Sequence, residues 1–283
     1  MRTAFLFPGQ GAPAAEWREA TATLRPDLLE RAELILGSDP FEHLGEGTEW
    51  DQPAIYCASL AAFTGTPPRA VLHAGHSLGE VAALACAGAF SDADGLAAVA
   101  ARGRLMAAAA TANGGGAMLA VGAAAGELAE LSERFGLTIA NLNSPEQTVL
   151  SGPGDGVEGM EAELRERRVR AKRLPVSGAF HSPEMRSAAE GFREVLEEIE
   201  VGTPSVPVIS GRTGEPFEDV RAELAAAIVE PVRWIDVVAA LERRGIERCV
   251  EVGPGRALSN IVRRSTGGSI VAERAPEPER SHA

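Results

Sequence analysis

The sequence predicts an α/β protein in two parts: a large domain around a mainly parallel sheet, and a small ferredoxin-like domain set into it. Three observations point there. Short apolar runs stop abruptly at glycine-rich turns, helical patterns fill the intervals, and one stretch in the middle follows the order βαββαβ. Alternation of strands and helices argues for a parallel sheet, because parallel neighbours need a crossover that a helix supplies.

Taken in chain order, Thr3 to Phe7 (TAFLF) is a buried strand ending at Pro8-Gly9-Gln10-Gly11. Ala70 to Ala74 (AVLHA) repeats the pattern into Gly75-His76-Ser77-Leu78-Gly79, and the alanine-rich Glu80 to Phe90 reads as the helix that follows. A second alanine-rich stretch, Met106 to Gly116, continues a helix rather than marking a linker. Ala117 to Gly122, Leu137 to Asn143, Gln147 to Gly152 and Arg170 to Val176 read as strands, with helices over Ala125 to Phe135 and Gly156 to Arg168. That is the ferredoxin-like order. It places a small domain at 113–179, after a Gly114-Gly115-Gly116 joint, within a large domain of 1–112 and 180–283, with a catalytic cleft between the two. Val206 to Ser210 and Cys249 to Val252 are further strands of the large domain, with helices over Val220 to Ile228 and Ile235 to Arg244. The tail after about Gly267, ending in APEPERSHA, lacks apolar periodicity and is expected to fray.

Composition narrows the function. Of 283 residues, 45% are hydrophobic and 24% charged, which is ordinary for a globular protein and excludes a disordered or coiled-coil chain. The net charge of −13 and the 5% of aromatics argue against nucleic acid, anionic lipid and base stacking as partners. No apolar run reaches bilayer length and the N-terminus carries no secretory pattern, so a cytoplasmic location is expected. Cys57, Cys86 and Cys249 lie far apart in apolar settings without CxxC spacing, so buried thiols are expected and no metal site.

The chemistry concentrates at Gly75 to Gly79. A serine on a tight strand-to-helix turn lifts its hydroxyl above the sheet, and the helix behind it aims backbone amides at the same place. Such a serine needs a base. Of His43, His73, His76, His181 and His282, the candidate is His181, in Gly178-Ala179-Phe180-His181-Ser182, where the small domain returns to the large one.

Together these residues resemble the malonyl-CoA:acyl-carrier-protein transacylase family, including the acyltransferase domains of polyketide synthases. The resemblance runs through FPGQG (Phe7 to Gly11), QPA (Gln52 to Ala54), GHSLGE (Gly75 to Glu80), ARGRLM (Ala101 to Met106) and ANLNSPEQTVLSG (Ala140 to Gly152). It continues through GAFHS (Gly178 to Ser182), EPVRW (Glu230 to Trp234) and EVGPG (Glu251 to Gly255), in that order along nearly the whole chain.

The resemblance implies an α/β-hydrolase-like large domain and a free-standing acyltransferase of fatty-acid or polyketide synthesis. Ser77 would be the acyl-carrying nucleophile and His181 its base, held by a backbone carbonyl at Ala227 where many relatives carry an amide side chain. The amides of Gln10 and Leu78 would form the oxyanion hole. Arg102 would pair with the free carboxylate of malonyl, since a guanidinium offers the two parallel hydrogen bonds that a carboxylate accepts. Phe180, Met106 and Asn143 would line the acyl pocket. Many malonyl-type polyketide domains have HAFH where this chain has GAFH, so Gly178 leaves room for a larger acyl group, and Pro13 stands where many relatives have a glutamine.

Malonyl-CoA and an acyl carrier protein are the implied partners; coenzyme A arrives as substrate, and no cofactor or metal is implied. Carrier proteins are usually acidic, so docking on this acidic chain calls for a local basic patch. The run Arg165 to Arg173 supplies one, with Arg168, Arg170 and Arg173 as candidates beside the plain reading of a solvated helix end. Three alternatives stand beside this reading: a trans-acting polyketide acyltransferase or editing acyl hydrolase, an esterase or thioesterase, and a non-catalytic scaffold. An esterase would usually place an acidic residue between serine and histidine; a scaffold needs none of Ser77, Arg102 and His181.

Overall fold

The computed structural model describes residues 1–66 and 69–275. Its central sheet has five parallel strands: β1 (Thr3–Phe7), β2 (Leu72–Gly75), β7 (Val208–Ile209), β8 (Arg248–Glu251) and β9 (Val271–Arg274), in the order β7-β2-β1-β8-β9. All five residues of β1 are buried because both faces of the sheet are covered. Phe5 and Phe7 pack into one hydrophobic cluster while Ala4 and Leu6 pack into another, the alternation a strand imposes.

Between β1 and β2 run α1 (Arg18–Leu24), α2 (Pro26–Leu36) and α3 (Thr48–Thr64), and after β2 come α4 (Gly79–Cys86) and α5 (Asp92–Ala112). The helix expected over Glu80 to Phe90 stops at Cys86, where Gly88 turns the chain with φ +81°. The stretch from Met106 to Ala112 completes α5, whose start is capped by the Ser91 hydroxyl accepting from the Asp94 amide.

A second sheet is antiparallel, with strands β3 (Ala117–Val121), β4 (Thr138–Ser144), β5 (Gln147–Gly152) and β6 (Ala171–Arg173) in the order β4-β5-β3-β6. This is the strand order of a ferredoxin-like unit. Helices α6 (Ala125–Arg134) and α7 (Gly154–Glu166) supply Leu128, Leu131, Val157, Met160 and Leu164 to its own small core. The strand expected to reach Val176 ends at Arg173, two residues before Pro175, which has no N–H for a ladder. Likewise β7 is only two residues long, beginning after Pro207.

The remaining helices are α8 (Arg186–Glu197), α9 (Val220–Ala226), α10 (Trp234–Arg243) and α11 (Ala257–Ser265). The expected fraying begins too early in the chain. Residues Val271–Arg274 pair in parallel with β8, and Ala272 is buried against the core, so pairing along β8 makes an edge strand of a stretch with little apolar pattern of its own. The rest of the tail, including His282, lies outside the described residues. No helix among the described residues is long and apolar enough to cross a membrane.

Register decides where chemistry collects. Phe7 lies beside Gly75 and Leu6 beside Glu251, so the turns after β1, β2 and β8 leave the same edge of the sheet. That edge is where ligands meet parallel α/β sheets. The two sheets are joined close by: Val232 forms a parallel bridge with Asn141, donating to the Ala140 carbonyl and accepting from the Leu142 amide.

Candidate active site

Ser77 sits on the turn from β2 to α4 with φ +55°, a conformation costly for a side-chain-bearing residue. Only three non-glycine residues among those described have positive φ: Ser77, His181 and Arg168. Two of the three are the expected nucleophile and base, which fits the tendency of functional sites to hold backbone strain. The flanking glycines make the turn possible. A Cβ on Gly75 would lie 2.0 Å from the Gly79 carbonyl carbon, and one on Gly79 would lie 2.2 Å from the Phe7 carbonyl oxygen. The second contact also seats the Gln10 loop directly against the Ser77 turn. Gly79 and Glu80 donate their amides back to His76 and Ser77, while among the described residues the amides of Gln10 and Leu78 meet no backbone acceptor.

The Ser77 hydroxyl is 2.9 Å from His181 Nε2, bridging 104 residues of sequence. His181 Nδ1 faces two carbonyl oxygens, Ala227 at 2.8 Å and Glu230 at 3.2 Å. Both are acceptors, so Nδ1 carries the proton and Nε2 turns a lone pair to the serine. Burial, the Arg102 charge and His76 pull His181 down to about 3, with the two carbonyls opposing, so the ring is neutral at pH 7.

Arg102 projects from α5 and is 4% exposed. Nη2 donates to Ser77 Oγ at 3.0 Å and Nη1 to Gln52 Oε1 at 2.7 Å, so both of its hydrogen-bond partners among the described residues are neutral. Burial draws it down to about 10, against the field of Glu80, and it remains cationic at neutral pH. A buried guanidinium without a carboxylate in contact, beside the Ser77 hydroxyl, suits an acyl group that carries its own carboxylate. Met106, one helical turn further along α5, meets the Gln52 amide through its sulfur at 3.4 Å.

Phe180 is buried next to His181. The room expected at Gly178 is not open space. A Cβ there would lie 2.5 Å from Phe180 Cε1 and 3.0 Å from the Ala110 Cβ, so the missing side chain lets the Phe180 ring settle against α5. Asn143 accepts from His76 Nε2 at 3.0 Å and reaches Gln147 at 3.2 Å, which fastens the hairpin of the small sheet to the Ser77 turn. His76 also packs on Trp234, with ring centroids 5.5 Å apart.

Arg168, Arg170 and Arg173 are not gathered around Ser77. Arg168 ends the α7 segment with φ +58°, and Arg173 pairs with Glu158 at 3.7 Å. Arg170 and Lys172 line a cavity of about 720 Å³ together with Arg264 and the Ser144–Gln147 turn.

Three participants carried no assigned role in the sequence. Gln52 is fully buried, the Glu230 carbonyl shares the His181 proton, and Glu80 is buried with Oε1 accepting from the Gly211 amide at 2.7 Å. Burial pushes the Glu80 carboxyl up to about 7, against that amide and the Arg102 charge. A polar residue leading directly into the apolar run PAIYCASLAAF was the available signal for Gln52; a backbone carbonyl such as that of Glu230 leaves none.

Comparison with known proteins shows the family that the chain resembles. The acyl transferase domain family matches residues 35–274. The polyketide biosynthesis protein ThaF of Burkholderia thailandensis is 39% identical over 282 residues, covering 92% of this chain and 24% of its own length, so the chain spans about a quarter of that relative. The malonyl CoA-acyl carrier protein transacylase of Bacillus subtilis is 35% identical, covering 93% of this chain and 90% of its own. The crystal structure of malonyl-CoA:acyl carrier protein transacylase from Xanthomonas oryzae superposes with a TM-score of 0.89 at 34% identity, over 98% of this chain and 95% of that one.

Proposed function

Because the chain belongs to the acyl transferase domain family, together with malonyl CoA-acyl carrier protein transacylases, it is an acyltransferase, and we propose that it moves a malonyl group from coenzyme A to the phosphopantetheine thiol of an acyl carrier protein through an ester on Ser77. The observation that carries this reading is the convergence of His181 Nε2 and Arg102 Nη2 on one serine oxygen, at 2.9 and 3.0 Å.

In the first half-reaction Ser77 Oγ attacks the thioester carbonyl while His181 Nε2 takes its proton. The oxyanion forms between the amides of Gln10 and Leu78, where losing one donor typically costs roughly 100–1,000-fold. Collapse breaks the C–S bond, and the proton on His181 leaves with the coenzyme A thiol. In the second half the carrier thiol gives its proton to His181, attacks the ester, and Ser77 leaves with that proton. The Ala227 and Glu230 carbonyls keep the ring in one tautomer through both halves.

Arg102 explains selection in this scheme. Its charge opposes protonation of His181, and a substrate carboxylate paired with it offsets that charge as the imidazolium forms. An acetyl group leaves the guanidinium uncompensated, so the penalty falls on the chemical step as well as on binding. We place carrier docking at the face of Arg170, Lys172 and Arg264, which faces the bulk acidity of this chain with local positive charge. The names of the relatives support supply of acyl units to polyketide or fatty-acid assembly.

The test is intact-protein mass after mixing with malonyl-CoA, methylmalonyl-CoA or acetyl-CoA, followed by addition of carrier protein. A malonyl-sized adduct that passes to the carrier is expected. Loading of acetyl in preference to malonyl would remove Arg102 from the role of carboxylate clamp.

A further inference from the structure

We propose that Asp51, Gln10, Thr48 and Gln52 form a one-way hydrogen-bond relay that fixes the orientation of Arg102 and ties it to the Gln10 loop, making Thr48 and Asp51 positioning residues for selection of carboxyacyl substrates. The inference rests on the Ser77 and Arg102 reading above.

The relay is continuous. Arg102 Nη1 donates to Gln52 Oε1 at 2.7 Å, and Gln52 Nε2 donates to Thr48 Oγ1 at 2.7 Å. Thr48 Oγ1 donates to Gln10 Oε1 at 2.9 Å, and Gln10 Nε2 donates to Asp51 Oδ2 at 2.9 Å. The other Asp51 oxygen accepts from the Gly45 amide at 2.8 Å, which anchors that end.

Its direction follows from its two ends. A guanidinium only donates and a carboxylate only accepts, whereas the two amides and the hydroxyl between them can do either. With a donor-only group at one end and an acceptor-only group at the other, one arrangement satisfies every link. In the reverse arrangement Gln52 would turn its NH2 toward Arg102 and Gln10 its carbonyl toward Asp51, opposing like partners at both ends. Thr48 and Gln52 are buried, so water is poorly placed to repair a broken link. The relay therefore keeps the Gln52 carbonyl on one arm of Arg102 and leaves the other arm at Ser77.

Neutralising either controlling position should let the Gln52 amide turn over and release Arg102. The substitution Thr48→Val keeps the shape and removes the hydroxyl; Thr48→Ser keeps the hydroxyl. Asp51→Asn, at the partly exposed end, removes the acceptor-only character with little effect on packing. Loading rates from malonyl-CoA and acetyl-CoA would be measured by intact mass for these three, the parent protein, Ser77→Ala and Arg102→Ala.

With one buried link unsatisfied, malonyl loading should fall about tenfold in Thr48→Val and several-fold in Asp51→Asn, while acetyl loading changes by less than about threefold. Thr48→Ser should recover the parent's malonyl preference. Three results would overturn the relay: an unchanged malonyl-to-acetyl ratio in Asp51→Asn, the same in a folded Thr48→Val, or a Thr48→Ser as impaired as the valine. If the ratio changes in Arg102→Ala but in neither relay variant, only the relay is lost. Absence of a Ser77-dependent adduct in the parent, or an unchanged ratio in Arg102→Ala, removes the underlying reading and the relay with it.

Discussion

The two sheets handle charge in opposite ways. Around the parallel sheet, charged groups near the chemistry are few and buried, each with partners: Arg102 with Gln52 and Ser77, Glu80 with the Gly211 amide. On the antiparallel sheet, β6 is exposed along its whole length and carries Lys172 and Arg173 into solvent. A charge withdrawn from water acts strongly on its neighbours and is costly to misplace, whereas an exposed charge is screened within about 8–10 Å at physiological salt. The buried charges therefore suit a role in setting what reacts, and the exposed β6 suits a role in steering a partner.

That contrast orders the expected effects. Ser77→Ala should abolish the acyl adduct from malonyl-CoA altogether by intact mass; a persisting adduct of the same mass would put the nucleophile elsewhere. Arg102→Lys keeps the charge but loses the two-pronged geometry. It should lower kcat/KM for malonyl-CoA by about 100-fold, within the range for a buried charge-assisted pair. A near-normal value would mean that charge alone, without the planar fork, selects the substrate.

At β6 and the residue before it, Arg170→Glu combined with Lys172→Glu should raise KM for carrier protein about three- to tenfold and leave loading from malonyl-CoA unchanged. Raising salt should shrink the difference between variant and parent. An effect that ignores salt would assign these residues to packing and weaken the contrast between the sheets.

Glu80 gives a smaller, signed effect. Its carboxyl titrates near 7 in the fold against an ordinary 4.5, so between those values the folded chain binds a proton that the unfolded chain has released. Stability from this group is greatest below about pH 4.5 and falls as pH rises through 7. Glu80→Gln should therefore gain melting temperature relative to the parent at pH 8 and show only a small part of that gain at pH 5. A constant difference across pH would mean that Glu80 is hydrated rather than buried.

The smallest expected effect is a flat line. With His181 held near 3, kcat/KM for malonyl-CoA should stay within about twofold from pH 8 to pH 5.5. A decline centred at 6.5 would show the ring in contact with water.

Much of the fold and site could be read before any coordinates. Local pattern carries strands such as TAFLF, whose burial is complete, and the glycines around Ser77, where any Cβ would strike backbone. Other features were hidden because their cause is distant in sequence. The last strand, Val271–Arg274, exists through pairing with β8, and the Phe180 ring fills the space that Gly178 alone suggests is open.

The sequence by itself determined the α/β class and the tight, glycine-flanked serine turn, and it singled out His181 as a candidate base by position. Each of these is written in residue type and local order. Only the tertiary structure decided that Ser77 meets His181 across 104 residues, that two carbonyls share its Nδ1 proton, and that a chain of neutral side chains links Arg102 to Asp51. Backbone carbonyls and amides are the same in every residue, and hydrogen-bond direction depends on what stands at both ends, so neither is legible until packing brings the ends together.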